Sequence, residues 1–191
     1  MVEYLPPSFN QKFMPSIFAI SDTWFNRLLE DDPNENVVDN NDHIIDCWNQ
    51  TVGKNDKVYV LGGFGIGDLY HILVRLNGEI HFLFNYFNGD EANSLVDMEN
   101  AVKNSSDQEF RKRIFFENRQ IVTINELDTV LSYLPLSDWP GKSTGTYCFH
   151  GLNDEIDMEE HNITCKANVW EFEPVDISDI KEHIETFKSR I

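Results

Sequence analysis

The apolar positions of this chain fall into short continuous runs that alternate with stretches of helical spacing. Ser16-Ile17-Phe18-Ala19-Ile20 has the length of a buried strand and ends at Ser21-Asp22. A polar, turn-rich stretch follows from Glu30 to Asn36. Val37, Ile44, Ile45, Trp48 and Val52 then recur at helical spacing, and Gly53 closes that helix. Lys57 to Leu61 predicts a second strand, ending in Gly62-Gly63. Residues 66 to 76 predict a helix carrying Leu69, Ile72, Leu73 and Leu76. Asn77-Gly78 reads as a turn and Ile80 to Phe84 as a third strand. Strand, helix, strand, helix, strand implies an α/β fold with parallel pairing. Sites in such sheets form just beyond the carboxyl ends of the strands, where Asp22, Gly63 and Asn85 stand.

The second half is richer in strands. Arg119 to Ile124 and Thr129 to Leu134 predict a hairpin through Asn125-Glu126. Thr146 to Phe149 and Ile163 to Phe172 predict further strands. Ile177 to Phe187 predicts a closing helix, with Asp176 or Ser178 near its start. Two sheets packed on each other with helices outside is the architecture this order implies. Residues 1–15 read as a Pro-containing arm and residues 16–191 as one domain, with no repeat, low-complexity tract or internal linker.

Composition narrows the class. With 191 residues, 41% apolar and 13% aromatic, the chain can bury a sizeable core and is not disordered. Met1 to Met14 lack the basic start of a signal peptide, and no apolar run approaches the roughly 20 residues of a membrane span. Cys47, Cys148 and Cys165 show no C-x-x-C spacing and cannot all pair among themselves, which points to a reducing cytoplasm. The sequon at Asn162-Ile163-Thr164 is then accidental. Lys plus Arg total 15 against 33 for Asp plus Glu, a net charge of −18. Such a surface repels nucleic acid and anionic membrane and attracts basic proteins. Two readings of it stand side by side: solubility alone, or an acidic face for a basic host surface that normally holds DNA.

Several segments form a recognisable series. They are Ile17-Phe18-Ala19-Ile20-Ser21-Asp22-Thr23-Trp24-Phe25, Trp48-Asn49, Val58-Tyr59-Val60-Leu61-Gly62-Gly63-Phe64 and Leu76-Asn77-Gly78. Then come Val130-Leu131-Ser132-Tyr133-Leu134-Pro135-Leu136, His150-Gly151, and Asn168-Val169-Trp170 with Pro174-Val175. In order and spacing this resembles the calcineurin-like metallophosphoesterase family, in particular its small bacterial and bacteriophage members, over residues 16 to 180. The resemblance implies a four-layer α/β/β/α sandwich of two mixed sheets. It also implies a two-metal site of manganese, iron or zinc, in which a bridging carboxylate and a bridging hydroxide serve both cations and a separate His protonates the leaving group.

Position by position the chain departs from that pattern. Asp22 and Asn85 stand where ligands are expected. Trp24 replaces a His, and an indole offers no lone pair to a metal. Gly63 replaces the bridging Asp, Tyr86 the catalytic His, and Tyr133 the His after Ser132. His150-Gly151 survives, but Leu152 and Asp154 occupy the two later His positions. The resemblance therefore implies no catalytic residue and no bound metal. Asp22, Asn85 and Asp154 remain as vestigial positions and no cofactor is expected. Oxygen ligands of that kind suit one Mg²⁺ or Ca²⁺; alternatively Asp22 and Asn85 only satisfy backbone groups in turns.

Trp24, Phe64, Tyr86 and Tyr133 either line an aromatic pocket for a nucleotide or fill the old cavity. Asp154, Glu155, Asp157, Glu159 and Glu160 form either a solvated loop or a patch for a basic partner. With Trp24, Tyr86, Tyr133 and His150 they make up the expected binding surface. The six histidines show no metal-site spacing and read as surface or structural. Gly62, Gly65 and Gly67 are not followed by the Lys of a phosphate loop. The expectation is a pseudoenzyme of phage type that binds and modulates a host protein in the cytoplasm. The alternatives are a phosphodiesterase or phosphatase with a rearranged single-metal or metal-free site, and a nucleotide-binding protein that uses the relic cleft.

Overall fold

The structure is a computed structural model of the chain and describes residues 15–27, 37–83, 89–117, 119–152, 156–157, 161–180, 182–183 and 189. The first half contributes β1 (Ile17–Ile20), α1 (Val37–Thr51), β2 (Lys57–Val60), α2 (Tyr70–Leu73), β3 (Glu79–Leu83), α3 (Gly89–Asn104), α4 (Gln108–Lys112) and β4 (Ile114–Glu117). The second contributes β5 (Ile121–Ile124), β6 (Thr129–Ser132), β7 (Tyr147–His150), β8 (Ile156–Asp157), β9 (Asn162–Thr164) and β10 (Val175–Asp176). The strands form two five-stranded sheets, in the orders β10-β1-β2-β3-β4 and β5-β6-β7-β9-β8. In the first, β1 to β4 run parallel and β10 adds antiparallel to β1. In the second, β6, β7 and β9 run parallel, with β5 and β8 antiparallel at the edges. The protein is thus α/β with two mixed sheets, and the expected hairpin through Asn125-Glu126 is present.

Side-chain alternation along each strand assembles the layers. Phe18, Ile20, Val58, Val60, Ile80 and Phe82 point to one side and pack with Ile44, Ile45, Trp48, Leu73, Leu95, Met98 and Phe110 from the helices. Ala19, Tyr59, Leu61 and Leu83 point the other way and meet Leu131, Phe149, Ile163 and Cys165 of the second sheet. The outer face of that sheet packs Val130 and Cys148 against Trp139 and Leu136. Trp139 is fixed there by its Nε1, which donates to the Thr146 carbonyl at 2.8 Å. Among the described residues a loop, not an α-helix, covers this face.

Some expectations need correction. The helix expected over 66 to 76 is regular only at Tyr70–Leu73. Its first residues are tied into a loop, because the Gly67 N–H donates to Ser94 Oγ at 2.7 Å and Asn26 Nδ2 donates to the Ile66 carbonyl at 2.8 Å. The strand expected over 163 to 172 ends at Thr164 and gives way to a 3-10 turn at Ala167–Trp170. Trp170 Nε1 donates to the Thr164 carbonyl at 2.8 Å, and the Ala167 N–H donates to the Ser21 carbonyl at 2.8 Å, which folds the chain across to the first sheet. Of the closing helix, residues 180, 182 and 183 are helical, and 181 and 184–188 lie outside the described residues. The hydrophobic pattern does not mark α3, where Leu95, Met98 and Val102 are buried among mostly polar neighbours. No helix among the described residues is long and apolar enough to cross a membrane.

Trp48 is fully buried, and its Nε1 donates to the Asn77 carbonyl at 3.0 Å, joining α1 to the turn before β3. Trp48→Ala should cost about 3–5 kcal/mol in denaturant unfolding. Trp48→Phe, which keeps most of the bulk but strands that carbonyl, should cost about 1–3 kcal/mol.

Candidate functional site

The turns that leave β1 and β2 run side by side at the carboxyl end of the first sheet. The N–H groups of Asp22, Trp24 and Phe25 donate to the carbonyls of Gly62, Gly63 and Phe64, each at 2.9 Å. The hydroxyl of Thr23 adds a bond to the Phe64 carbonyl at 2.9 Å. Asp22, Trp24 and Asn26 take left-handed backbone, with φ of 53°, 49° and 63°. Asp and Asn tolerate this conformation, but for a bulky Trp it is an outlier that the surroundings must impose. Asn26 does part of that work. Its N–H donates to Asn41 Oδ1 at 2.9 Å, and Asn41 Nδ2 donates back to Asn26 Oδ1 at 2.8 Å, which anchors the turn to α1.

Three glycines let the strand ends meet closely. Gly63 has φ of 62°, and a Cβ there would lie 2.7 Å from Asp22 Cα and 2.9 Å from its Cγ, and closer still to Oδ1. The Asp22 carboxylate thus occupies the hollow beside Gly63, the position to which the resemblance assigns the bridging Asp. A Cβ on Gly62 would lie 2.6 Å from the Tyr133 ring, and one on Gly151 would lie 2.8 Å from that ring and 2.8 Å from Ser21 Cβ. The Tyr133 ring therefore lies across both backbones. The Gly151 N–H donates to the Tyr133 carbonyl at 2.9 Å, and Ser21 Oγ donates to the Gly151 carbonyl at 3.2 Å.

Glu91, in the first turn of α3, joins this group although no sequence pattern marks it. It is 4% exposed. Burial, reinforced by the Asp22 charge, pushes its carboxyl up to about 7, against the lowering pull of the Phe64 and Gly63 N–H groups and of Arg27. Its Oε1 is buried without a hydrogen-bond partner among the described residues. An acid in the first turn of a helix ordinarily reads as a favourable partner for the helix dipole, so no sequence signal separates Glu91 from the exposed Asp90. Arg27 lies with its guanidinium 4.2 Å from the centre of the Trp24 ring. Burial and the charges of Asp22 and Glu91 push the Tyr133 phenol up to about 12, so it stays protonated at neutral pH.

The structure thus brings Asp22, Gly63, Tyr133 and Glu91 together, with half-buried Trp24 beside them. Other expected members stand elsewhere. Phe64 turns into the helix-side core, with its ring 5.1 Å from Phe25 and 4.9 Å from Phe82. His150 was expected on the binding surface but is fully buried, because its side chain shares the loop-covered face of β7 with Cys148. Neither ring nitrogen has a partner among the described residues, and burial pushes the imidazole down to about 4. Leu152, at one of the later His positions of the resemblance, is 46% exposed. Asn85, Tyr86, Asp154, Glu155, Glu159, Glu160 and the side chain of Asp157 lie outside the described residues. His81 fits a structural role, held between Glu117 Oε1 at 3.0 Å and Glu79 Oε1 at 2.8 Å. Among the described residues no three His, Cys, Asp or Glu side chains are grouped so as to hold a metal ion.

No family model and no curated protein matches the chain. Among solved structures it is similar to the protein of unknown function AQ665 from Aquifex aeolicus, with a TM-score of 0.52 and 16% identity, covering 88% of this chain and 99% of that one. At that identity the likeness speaks to the fold alone.

Two outcomes follow from this geometry. Gly63 and Gly67 both have positive φ, but a Cβ on Gly67 meets nothing nearer than 4.0 Å. Gly67→Ala should therefore cost about 1–2 kcal/mol for its backbone, and Gly63→Ala about 1–3 kcal/mol more for the collision with Asp22, measured by denaturant unfolding. For Glu91 the folded-state value of about 7 lies above the ordinary 4.5. Between the two the folded state keeps a proton that the unfolded state releases, so stability falls as pH rises and levels off above about 7. Glu91→Gln should thus gain on the wild type from pH 5 to pH 8, by on the order of 3 kcal/mol at the plateau. The pH dependence of the difference in melting temperature measures this directly. His150 acts in the opposite sense, since its lowered value makes stability rise with pH up to about 6.5.

Proposed function

We propose that this chain is a calcineurin-like metallophosphoesterase scaffold, an α/β/β/α sandwich in origin, that has lost its chemistry and acts by binding a host protein. The observation that carries this reading is the Asp22 carboxylate in the Gly63 hollow. A dinuclear centre needs a carboxylate shared by both cations, and here that position has no side chain and no room for one. The other residues at the strand ends agree. Trp24 and Tyr133 bring an indole and a phenol that stays protonated, and His150 is fully buried on the loop-covered face of the second sheet. The residues present do not fit a two-metal group. The net charge of −18 disfavours phosphate-bearing substrates at long range and favours a basic partner.

One observation favours a second reading, a hydrolase with a rearranged site. Glu91 is a carboxyl raised to about 7 beside Asp22, and perturbed acids of this kind cluster at functional sites. An assay of the purified chain against bis-(p-nitrophenyl) phosphate with added Mn²⁺ separates the two. The expected result is no turnover above buffer and less than one bound Mn²⁺ per chain. Turnover abolished by Asp22→Ala or Glu91→Gln would establish the hydrolase instead. Capture of a partner from host lysate should weaken at least tenfold when Asp154, Glu155, Asp157, Glu159 and Glu160 are neutralised together.

A further inference from the structure

Resting on that protein-binding reading, we infer that Asp22 and Glu91 form the seat for an arginine side chain of the partner. The two carboxyls are arranged in depth. Asp22 is half-buried at the strand ends, whereas Glu91 is 4% exposed behind it, over the Gly63-Phe64 turn. Glu91 Oε1 has no hydrogen-bond partner among the described residues. A buried carboxyl oxygen left in that state costs free energy that a charged donor recovers. Arg27 is stacked on Trp24, and its charge offsets the raised Glu91 carboxyl only in part.

The depth of the pair favours a long side chain with a charged head: Glu91 is 4% exposed and Asp22 half-buried, and arginine carries its guanidinium on a flexible methylene stem. The fork of N–H donors can engage a carboxylate in two parallel bonds, which an ammonium cannot. The acidic surface of the whole chain steers a basic segment toward the site.

The test uses blocked tripeptides, acetyl-Ala-Arg-Ala-amide and its uncharged citrulline counterpart, titrated into the isotope-labelled full chain at pH 8 and low salt. The expected result is saturable amide-shift changes centred on Gly63, Phe64 and Glu91. They should be at least fivefold weaker with citrulline and lost in both Glu91→Gln and Asp22→Asn, with circular dichroism confirming that each variant is folded. Three results would overturn the inference: shifts scattered over the acidic surface without saturation, equal binding of the two peptides, or unchanged binding in both variants. Mg²⁺ that saturates the same amides more tightly than the arginine peptide would also overturn it, assigning the pair to a metal. Failure here with no phosphodiesterase turnover leaves the protein-binding reading standing, whereas turnover removes that reading itself.

Discussion

The close approach of Asp22 to Gly63 organises the carboxyl end of the first sheet. The two turns are parallel neighbours because β1 and β2 are, and the backbone bonds from Asp22, Trp24 and Phe25 continue that pairing beyond the strands. The approach is close enough that only a residue without a Cβ fits at position 63. Left-handed backbone at Asp22, Trp24 and Asn26 follows from the same constraint, and the Asn26–Asn41 bonds hold it in place. Tyr133 then closes the arrangement by lying across Gly62 and Gly151, which joins the two sheets at the site. A carboxylate at position 63 and the present position of Asp22 exclude each other on steric grounds.

Electrostatics gives this end of the molecule its second distinctive property. The chain carries a large acidic excess, yet it buries a carboxyl beside another carboxylate instead of spacing the two in water. The N–H groups of Gly63 and Phe64 and the charge of Arg27 offset part of the cost, but burial and Asp22 outweigh them. His150 is a separate cost on the far face of the second sheet, a neutral imidazole with neither nitrogen bonded among the described residues. Groups kept against a stability penalty are where surface function is most economically sought. Of the two, only the Asp22–Glu91 pair has a half-exposed member through which a partner can reach it.

Much of the frame is legible in the pattern of side chains. The runs at 17–20, 57–61 and 80–83 are largely apolar because each strand packs between helices and a second sheet, and such runs need no tertiary information to recognise. The same holds for α1, whose apolar residues keep helical spacing, and for the hairpin through Asn125-Glu126. The α3 helix was hidden because it offers the core only a few apolar residues, and the turn at 167–170 because two tryptophan- and alanine-based hydrogen bonds, not periodicity, bend the chain there.

The sequence by itself determined the α/β class, the positions of Asp22 and Gly63 at strand ends, the excess of negative charge and the absence of ligand-type residues at Trp24, Gly63 and Tyr133. Those properties belong to residue identity and local spacing. Tertiary structure alone decided that Asp22 fills the space beside Gly63, that Phe64 and His150 turn away from the site, and that Glu91 comes to it from a helix far along the chain. The reason is physical. Close backbone approach and the burial of a charge depend on which distant segments pack together, and no local pattern of side chains records that.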